Sequence, residues 1–410
     1  MTPPVVLTPD PLDLDASTRG VYEASVAAAQ AEARRLILVS DLSGFARYPR
    51  PWRIGPDWRP RPAPMLPALN RSLAERSVQE VARATGLPIT IVRCGDGVDR
   101  DAALADARAD TALFQVVHVG DDARRPDTDD GRPWRERFAP PEPIPSRPIR
   151  RVAVLGAGGP IGAAVARHLA PQFLLRLCDI RPLAQIAAEA RPQSPGAPIA
   201  APLPPPHEEA FVDLRDPATI APALDGCDAV INLTVIRNDP VDAFAVNTTG
   251  AVHLCRALVE AGIRRFVQTG PQMITLHREN DFGFDFALPS DTPCRPGRHL
   301  YGHSKFLGNE ACRIFAEWHD LEVPVLLFNN FATPGVDVGR PHAMMLSYDD
   351  AARAIGAALT MPDGALGSPY EEFHIVADYP HDQCRTDKAQ RLLGWRPLDA
   401  LDALWRTGGA

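Results

Sequence analysis

Downstream of residue 150, short apolar runs rich in Val, Ile and Leu alternate with longer stretches whose apolar positions recur every three or four residues. The runs fall at 151–155, 173–178, 210–212, 229–233, 265–268, 323–328 and 373–376. The periodic stretches fall at 161–169, 217–224, 241–261, 301–319 and 349–360. A strand covered on both faces reads as a near-continuous apolar run, and a parallel neighbour needs a crossover, usually helical, before it can pair. The pattern therefore predicts an α/β fold, a parallel sheet with helices on both faces.

Proline sets the divisions. The run Ala139-Pro140-Pro141-Glu142-Pro143-Ile144-Pro145-Ser146-Arg147-Pro148 favours extended backbone and lacks several N–H donors. It predicts a semi-rigid linker at 139–149 between a unit at 1–138 and a unit at 150–410. A second Pro-rich stretch, 191–206, reads as a surface loop of the second unit, and a third, 48–67, divides the first. The two units echo one another. Ser17-Thr18-Arg19-Gly20 parallels Asn247-Thr248-Thr249-Gly250, and 14 residues after each glycine an Arg-Arg pair opens an apolar run. Residues 86–93 parallel 322–329, and Asp121-Asp122-Ala123 parallels Asp349-Asp350-Ala351, in the same order. The first unit reads as a truncated repeat that begins mid-pattern, without a Gly-rich first strand and turn.

Composition narrows the function classes. The 410 residues carry a formal charge of −8, which argues against a nucleic-acid partner. No stretch is apolar enough for a membrane span, and the first residues lack the basic and apolar regions of a secretory signal. Seven scattered cysteines without a C-x-x-C suit buried thiols in a reducing cytoplasm better than disulfides or zinc. Of 43 basic residues only Lys305 and Lys388 are lysine, so an amine retained at 305 draws attention.

The segment Leu155-Gly156-Ala157-Gly158-Gly159-Pro160-Ile161-Gly162 follows a strand and opens a helix. Glycines there permit a sharp turn, close approach of a pyrophosphate and tight helix packing, while the helix N-terminus offers free N–H groups. Gly156, Gly158, Gly159, Pro160, Ile161 and Gly162 are the candidate phosphate loop. Asp179 closes the next strand, where a carboxylate accepts ribose hydroxyls and repels a 2′-phosphate. Asp179, with Ile180, thus points to NAD; Arg181 beside them leaves NADP open. The glycine spacing alone also occurs in tight turns of other α/β proteins.

Tyr301 and Lys305 stand at i and i+4, on one helical face. A phenol is a poor acid–base group near neutrality unless a nearby ammonium stabilises the phenolate. The pair would then shuttle a proton in alcohol–carbonyl interconversion, and the same lysine can reach ribose hydroxyls. An exposed Tyr and a solvated Lys are the alternative for any such spacing. His299 and His303 share a different face and read as surface or packing residues.

Together with Asp213-Leu214-Arg215-Asp216, Asn232-Leu233-Thr234-Val235, Val246-Asn247-Thr248-Thr249-Gly250 and Leu393-Gly394-Trp395-Arg396-Pro397, these motifs make residues 150–405 resemble the extended short-chain dehydrogenase/reductase family. The resemblance implies a Rossmann-type doubly wound sheet and NAD (NADP possible) as cofactor. It places Asp213 and Leu214 beside the adenine, Leu233, Thr234 and Val235 along the cofactor, and Asn247 in a supporting role. It implies hydride transfer on a hydroxylated, sugar-like small molecule by an oxidoreductase, epimerase or dehydratase. The family's substrate-polarising hydroxyl after the fifth strand falls at Pro271 here, which makes Thr269 the candidate replacement. Residues 327–335 also depart from the nucleotide-sugar pattern. A nucleotide-binding scaffold that has lost turnover is the competing expectation. The upstream unit keeps neither phosphate loop nor Tyr-x-x-x-Lys. By the resemblance, its two helices, near 21–33 and 69–85, correspond to those through which family members dimerise, so it is expected to dock on the second unit as a built-in pseudo-partner.

Overall fold

The structure, a computed structural model, describes residues 3–48, 52–95, 98–120, 138–191, 194–272, 287–337, 344–378 and 384–401. The repeat segment at 121–123 lies outside these residues.

The first 120 residues run β1 (Val5–Leu7), a π-helical turn at Ala16–Gly20, α1 (Val21–Gln30), β2 (Leu36–Asp41), α2 (Ala68–Thr85), β3 (Ile89–Cys94), α3 (Arg100–Ala109) and β4 (Phe114–Val119). The four strands pair in parallel in the order β1-β2-β3-β4.

From residue 151 the chain runs β5 (Arg151–Leu155), α4 (Pro160–Leu169), β6 (Leu174–Asp179), α5 (Leu183–Glu189), β7 (Glu208–Phe211), α6 (Ile220–Leu224), β8 (Ala229–Asn232) and α7 (Pro240–Phe244). A second π-helical turn, Ala245–Thr249, leads into α8 (Gly250–Glu260), β9 (Arg265–Pro271), α9 (Leu300–His319) and β10 (Val323–Phe328). The short pair β11 (Asn330–Ala332) and β12 (Met345–Ser347), α10 (Tyr348–Thr360), β13 (Tyr370–His374) and α11 (Asp387–Leu393) complete it. Seven strands form one parallel sheet in the order β13-β10-β9-β8-β5-β6-β7. This is the doubly wound α/β sheet that the alternation predicted, with one apolar core on each face.

Two differences from the sequence pattern have local causes. The stretch at 241–261 is not one helix, because the π-helical turn at 245–249 interrupts it. The last strand begins at Tyr370 rather than 373, since an edge strand with one α9-facing row of Tyr370, Glu372 and His374 carries no apolar run. Both π-helical turns, rare elements in general, fall in the segments whose sequences echo each other, and each precedes a helix and a parallel strand.

The two sheets meet through helices. Tyr22, Leu69, Leu73 and Val81 share a buried core with Phe244, Phe306 and Leu307. The Tyr22 hydroxyl donates to the Arg298 carbonyl at 2.7 Å, and Arg59 pairs with Glu317 at 2.5 Å. The linker is no free spacer. The N–H groups of Glu142 and Ile144 donate to the Trp318 and His319 carbonyls at the end of α9, at 3.2 and 2.9 Å. A helix C-terminus leaves carbonyls without intrahelical donors, and the alternate non-proline residues of the linker supply them.

His303 on α9 is fully buried in this seam. Its Nδ1 lies 2.7 Å from the Gly297 carbonyl, which can only accept, so Nδ1 carries the proton and Nε2 accepts from the Ser77 hydroxyl at 2.9 Å. Burial pushes the imidazole pKa down from 6.5 to about 4. The unfolded ring protonates near 6.5 and the folded ring near 4, so the stability tied to the neutral ring is complete above pH 6.5. It falls as the pH drops toward 4. In urea titrations the stability gap between wild type and His303→Gln is expected to shrink by about 2 kcal/mol between pH 7.5 and 4.5; an unchanged gap would contradict this role.

Candidate functional site

The chain turns directly after β5. Gly156 sits at φ +79°, and a Cβ there would lie 3.0 Å from the Leu233 carbonyl carbon and the Thr234 nitrogen. A Cβ on Gly162 would lie 2.6 Å from the Ala157 backbone, so α4 packs straight onto the loop. Pro160 occupies the start of α4, where its missing N–H has no helical partner. The result is an uncluttered backbone cradle facing the first-turn N–H groups of α4, a shape and polarity that fit a dinucleotide pyrophosphate. Gly158, Gly159 and Ile161 complete it.

Asp179 ends β6 and closes the cradle. Its Oδ2 accepts from the Gly158 N–H and its Oδ1 from the Ile180 N–H, both at 2.8 Å. The Arg181 guanidinium is held by Glu189 at 2.5 Å, so it already has a carboxylate partner. Asp213 is gripped by the Nε and Nη2 edge of Arg215, which holds its carboxyl below the usual range, and Leu214 is buried beside it. The Leu233 N–H donates to the Leu155 carbonyl at 2.9 Å, and Thr234 leans on Asn232 through its N–H and hydroxyl. Val235 follows in the same loop, half-buried. All these positions lie at the C-terminal ends of the strands around β5 and β8. There the strand order reverses, opening the crevice in which open α/β sheets take ligands.

Helix α9 brings Tyr301 and Lys305 to the same end. His299 caps it, its Nδ1 accepting from the Gly302 N–H at 3.2 Å. Lys305 is almost wholly buried and its Nζ donates to the Thr234 carbonyl at 2.8 Å. Burial lowers the ammonium pKa to about 8. The phenol departs from the expected acidic shift. Burial raises the Tyr301 pKa, and the cation that acts against the rise is Arg237, whose Cζ lies 5.2 Å from the ring centre. Arg237 had no signal in the sequence. It stands in the loop after β8, outside every motif, in a chain that uses arginine almost everywhere.

Thr269 corrects another expectation. Its hydroxyl is buried in β9 and donates to the Asn232 carbonyl at 2.8 Å. A hydroxyl has one proton to give, and in this arrangement Thr269 gives it to the neighbouring strand rather than to the crevice. Pro271 ends β9, paired with Phe328, and brings no hydroxyl. Asn247 and Ser304, by contrast, form a buried polar link, Nδ2 to Oγ at 3.0 Å, that joins α9 to the second π-helical turn. Among the described residues no group of His, Cys, Asp and Glu could hold a metal ion.

Residues 152–353 match the NAD dependent epimerase/dehydratase family. They form a domain of that family. Among curated proteins, the NAD-dependent glucose-6-phosphate dehydrogenase of Haloferax volcanii is 26% identical over 275 residues, covering 60% of this chain and 93% of the relative. The uronate dehydrogenase of Pseudomonas putida is 25% identical over 221 residues, covering 52% and 73%. Both relatives are enzymes. Among solved structures, a glucuronic acid dehydrogenase from Chromohalobacter salexigens superposes with a TM-score of 0.51 at 22% identity, covering 64% of this chain and 91% of its own. A mutated uronate dehydrogenase gives 0.51 at 22%, covering 62% and 84%. At these identities the structures show the fold alone, a doubly wound parallel α/β sheet. The family match lies wholly in the second unit.

Two glycines separate packing from conformation in the cradle. Gly162→Ala places a methyl group against the Ala157 backbone, whereas a Cβ on Gly159 meets only the Gly156 oxygen at 3.6 Å. Gly162→Ala is expected to lose about 1–3 kcal/mol of stability and to weaken NADH binding by fluorescence titration at least about tenfold, the scale of about 1.4 kcal/mol. Gly159→Ala should keep wild-type stability; equal behaviour of the two variants would contradict the packing argument.

Proposed function

We propose that this protein is an NAD-dependent dehydrogenase of a hydroxylated, sugar-like small molecule, working in the cytoplasm. The observation that carries the reading is the meeting of the glycine cradle and Asp179 with Tyr301 and Lys305 at one end of the β5–β8 crevice. The names of both curated relatives specify sugar dehydrogenases, which favours simple oxidation over epimerisation or dehydration. When bound, NAD supplies the acceptor for the two electrons that leave the substrate carbon.

The chain's own residues handle position and protons. The cradle at 156–162 and the first turn of α4 hold the pyrophosphate, with Asp179 toward the ribose and Asp213, Leu214 and 233–235 along the remainder. The pairing of Arg181 with Glu189 leaves no ready receptor for a 2′-phosphate and favours NAD over NADP. Tyr301 takes the proton from the substrate hydroxyl, and the charge of Arg237 acts against the burial that resists its ionisation. Pro271 and the committed hydroxyl of Thr269 favour a second reading, a dinucleotide-binding scaffold without turnover.

The N-terminal unit, on this reading, is a degenerate repeat that covers the outer face of α9 in place of a second chain. Sedimentation of the full chain is expected to show no dimer built through α8 and α9; such a dimer would contradict the covering role.

NAD reduction, followed by absorbance over a panel of aldoses, uronates and sugar phosphates, separates enzyme from scaffold. Tyr301→Phe is expected to lower turnover by about 10²–10⁴-fold. Thr269→Val should stay within about twofold of wild type while losing about 1 kcal/mol of stability with its buried hydrogen bond. NADH binding without Tyr301-dependent turnover on any substrate would select the scaffold.

A further inference from the structure

Arg237 is an exposed guanidinium at the mouth of the site. The loop gives it no acid. Asp239 is occupied as the cap of α7, accepting from the Asp242 N–H at 2.8 Å, and Asp242 is paired with Arg215 at 3.0 Å. Among the described residues no carboxylate lies within ion-pair distance of Arg237. Neighbouring arginines differ: Arg215 holds Asp213 and Asp242, and Arg181 holds Glu189. Among the described residues the structure sets this cation beside Tyr301, whose ring centre lies 5.2 Å from Cζ and whose hydroxyl it hydrogen-bonds, and within electrostatic reach of Lys305.

A guanidinium presents a planar fork of donors that matches carboxylate and phosphate oxygens in pairs. Held against the acid–base phenol and without a counter-ion, it demands an anion from whatever enters the crevice. We propose that Arg237 is the receptor for an anionic substituent of the substrate, a carboxylate or a phosphate, so that the site selects charged sugars over neutral ones. The substrate's being a sugar rests on the dehydrogenase reading above; the demand for an anion rests on the unpaired guanidinium itself. The two relatives named for a uronate and a glucose 6-phosphate act on sugars carrying these two anions. The same guanidinium acts on the phenol, so anion recognition and proton transfer share one residue. A substrate lacking the charge would leave Arg237 facing solvent and would be held by hydroxyl contacts alone.

The test uses the full chain and two readouts: steady-state NAD reduction, and calorimetric binding to the protein saturated with NADH. Glucuronate, galacturonate and glucose 6-phosphate are compared with glucose and galactose, in wild type, Arg237→Gln and Arg237→Lys. Wild type is expected to prefer at least one charged sugar over its neutral counterpart by about tenfold or more, through KM or Kd. The charged arm that shows it distinguishes carboxylate from phosphate. Arg237→Gln should lower turnover on charged and neutral sugars alike, because the phenol loses its cation, and should in addition erase the preference by raising KM and Kd for the charged sugar alone; Arg237→Lys should restore part of both. Equal affinity of wild type for charged and neutral sugars overturns the proposal, as does a rise in KM and Kd in Arg237→Gln that is equal for both, which would mark a merely structural role. Turnover without charge preference sinks this inference and leaves the dehydrogenase reading standing. Charge-dependent binding without any turnover does the reverse.

Discussion

The approach of α9 to the π-helical turn at 245–249 governs the geometry of the site. At position 308 a Cβ would lie 2.0 Å from the Asn247 carbonyl oxygen, so only glycine lets the two backbones come this close. Polar side chains then lock the contact. The Thr248 hydroxyl donates to the Ser304 carbonyl at 2.7 Å, and the Asn247 amide donates to the Ser304 hydroxyl at 3.0 Å. Asn247 also holds the loop after β8, donating to the Ile236 carbonyl at 2.7 Å and accepting from its N–H at 3.2 Å. One buried asparagine thus ties the helix that bears Tyr301 and Lys305 to the loop that bears Thr234 and Arg237. A buried polar network whose members find partners fixes a single arrangement, and here it fixes which backbone carbonyl meets the lysine and which cation meets the phenol.

Helix α9 has a second allegiance. Residues four apart share a face, and residues two apart do not, so His303 points away from the face of Tyr301 and Lys305. It meets Ser77 of α2 within the aromatic enclosure of Tyr22, Phe244 and Phe306. The N-terminal sheet thereby covers what would otherwise be a wet helix face, and the linker covers the helix end. The helix that carries Tyr301 and Lys305 is packed from both sides. Lys305, on the opposite face, is also removed from water, and burial lowers its pKa.

Much of this was legible in the sequence because it rests on repetition and on steric need. Apolar runs named the strands of both cores, and the glycine spacing named the cradle, since Gly156, Gly158 and Gly162 answer contacts that any larger residue would make. The parts that were not legible depend on partners far apart in the chain. Nothing local says that the Thr269 hydroxyl is used up by Asn232, 37 positions away. Nor does a proline-rich linker announce that its alternate N–H groups will find the carbonyls of Trp318 and His319. Arg237 was invisible for a compositional reason: where almost every cation is arginine, one more carries no signal until the structure leaves it without an acid.

Lysine 305 shows the converse. A buried ammonium is disfavoured by desolvation, and among the described residues no carboxylate pairs with it. Its recorded acceptor is a single carbonyl, Thr234, against three N–H donors. Stability alone would have replaced it with an apolar residue of similar length. Arginine, the chain's habitual cation, would not serve. Its charge does not yield to burial as an ammonium's does. A compact amine whose pKa has moved to about 8 stays charged near neutrality yet can release its proton within a modest pH range. The retention of lysine at this position, against both composition and desolvation, is therefore better explained by the chemistry of the crevice than by the stability of the fold.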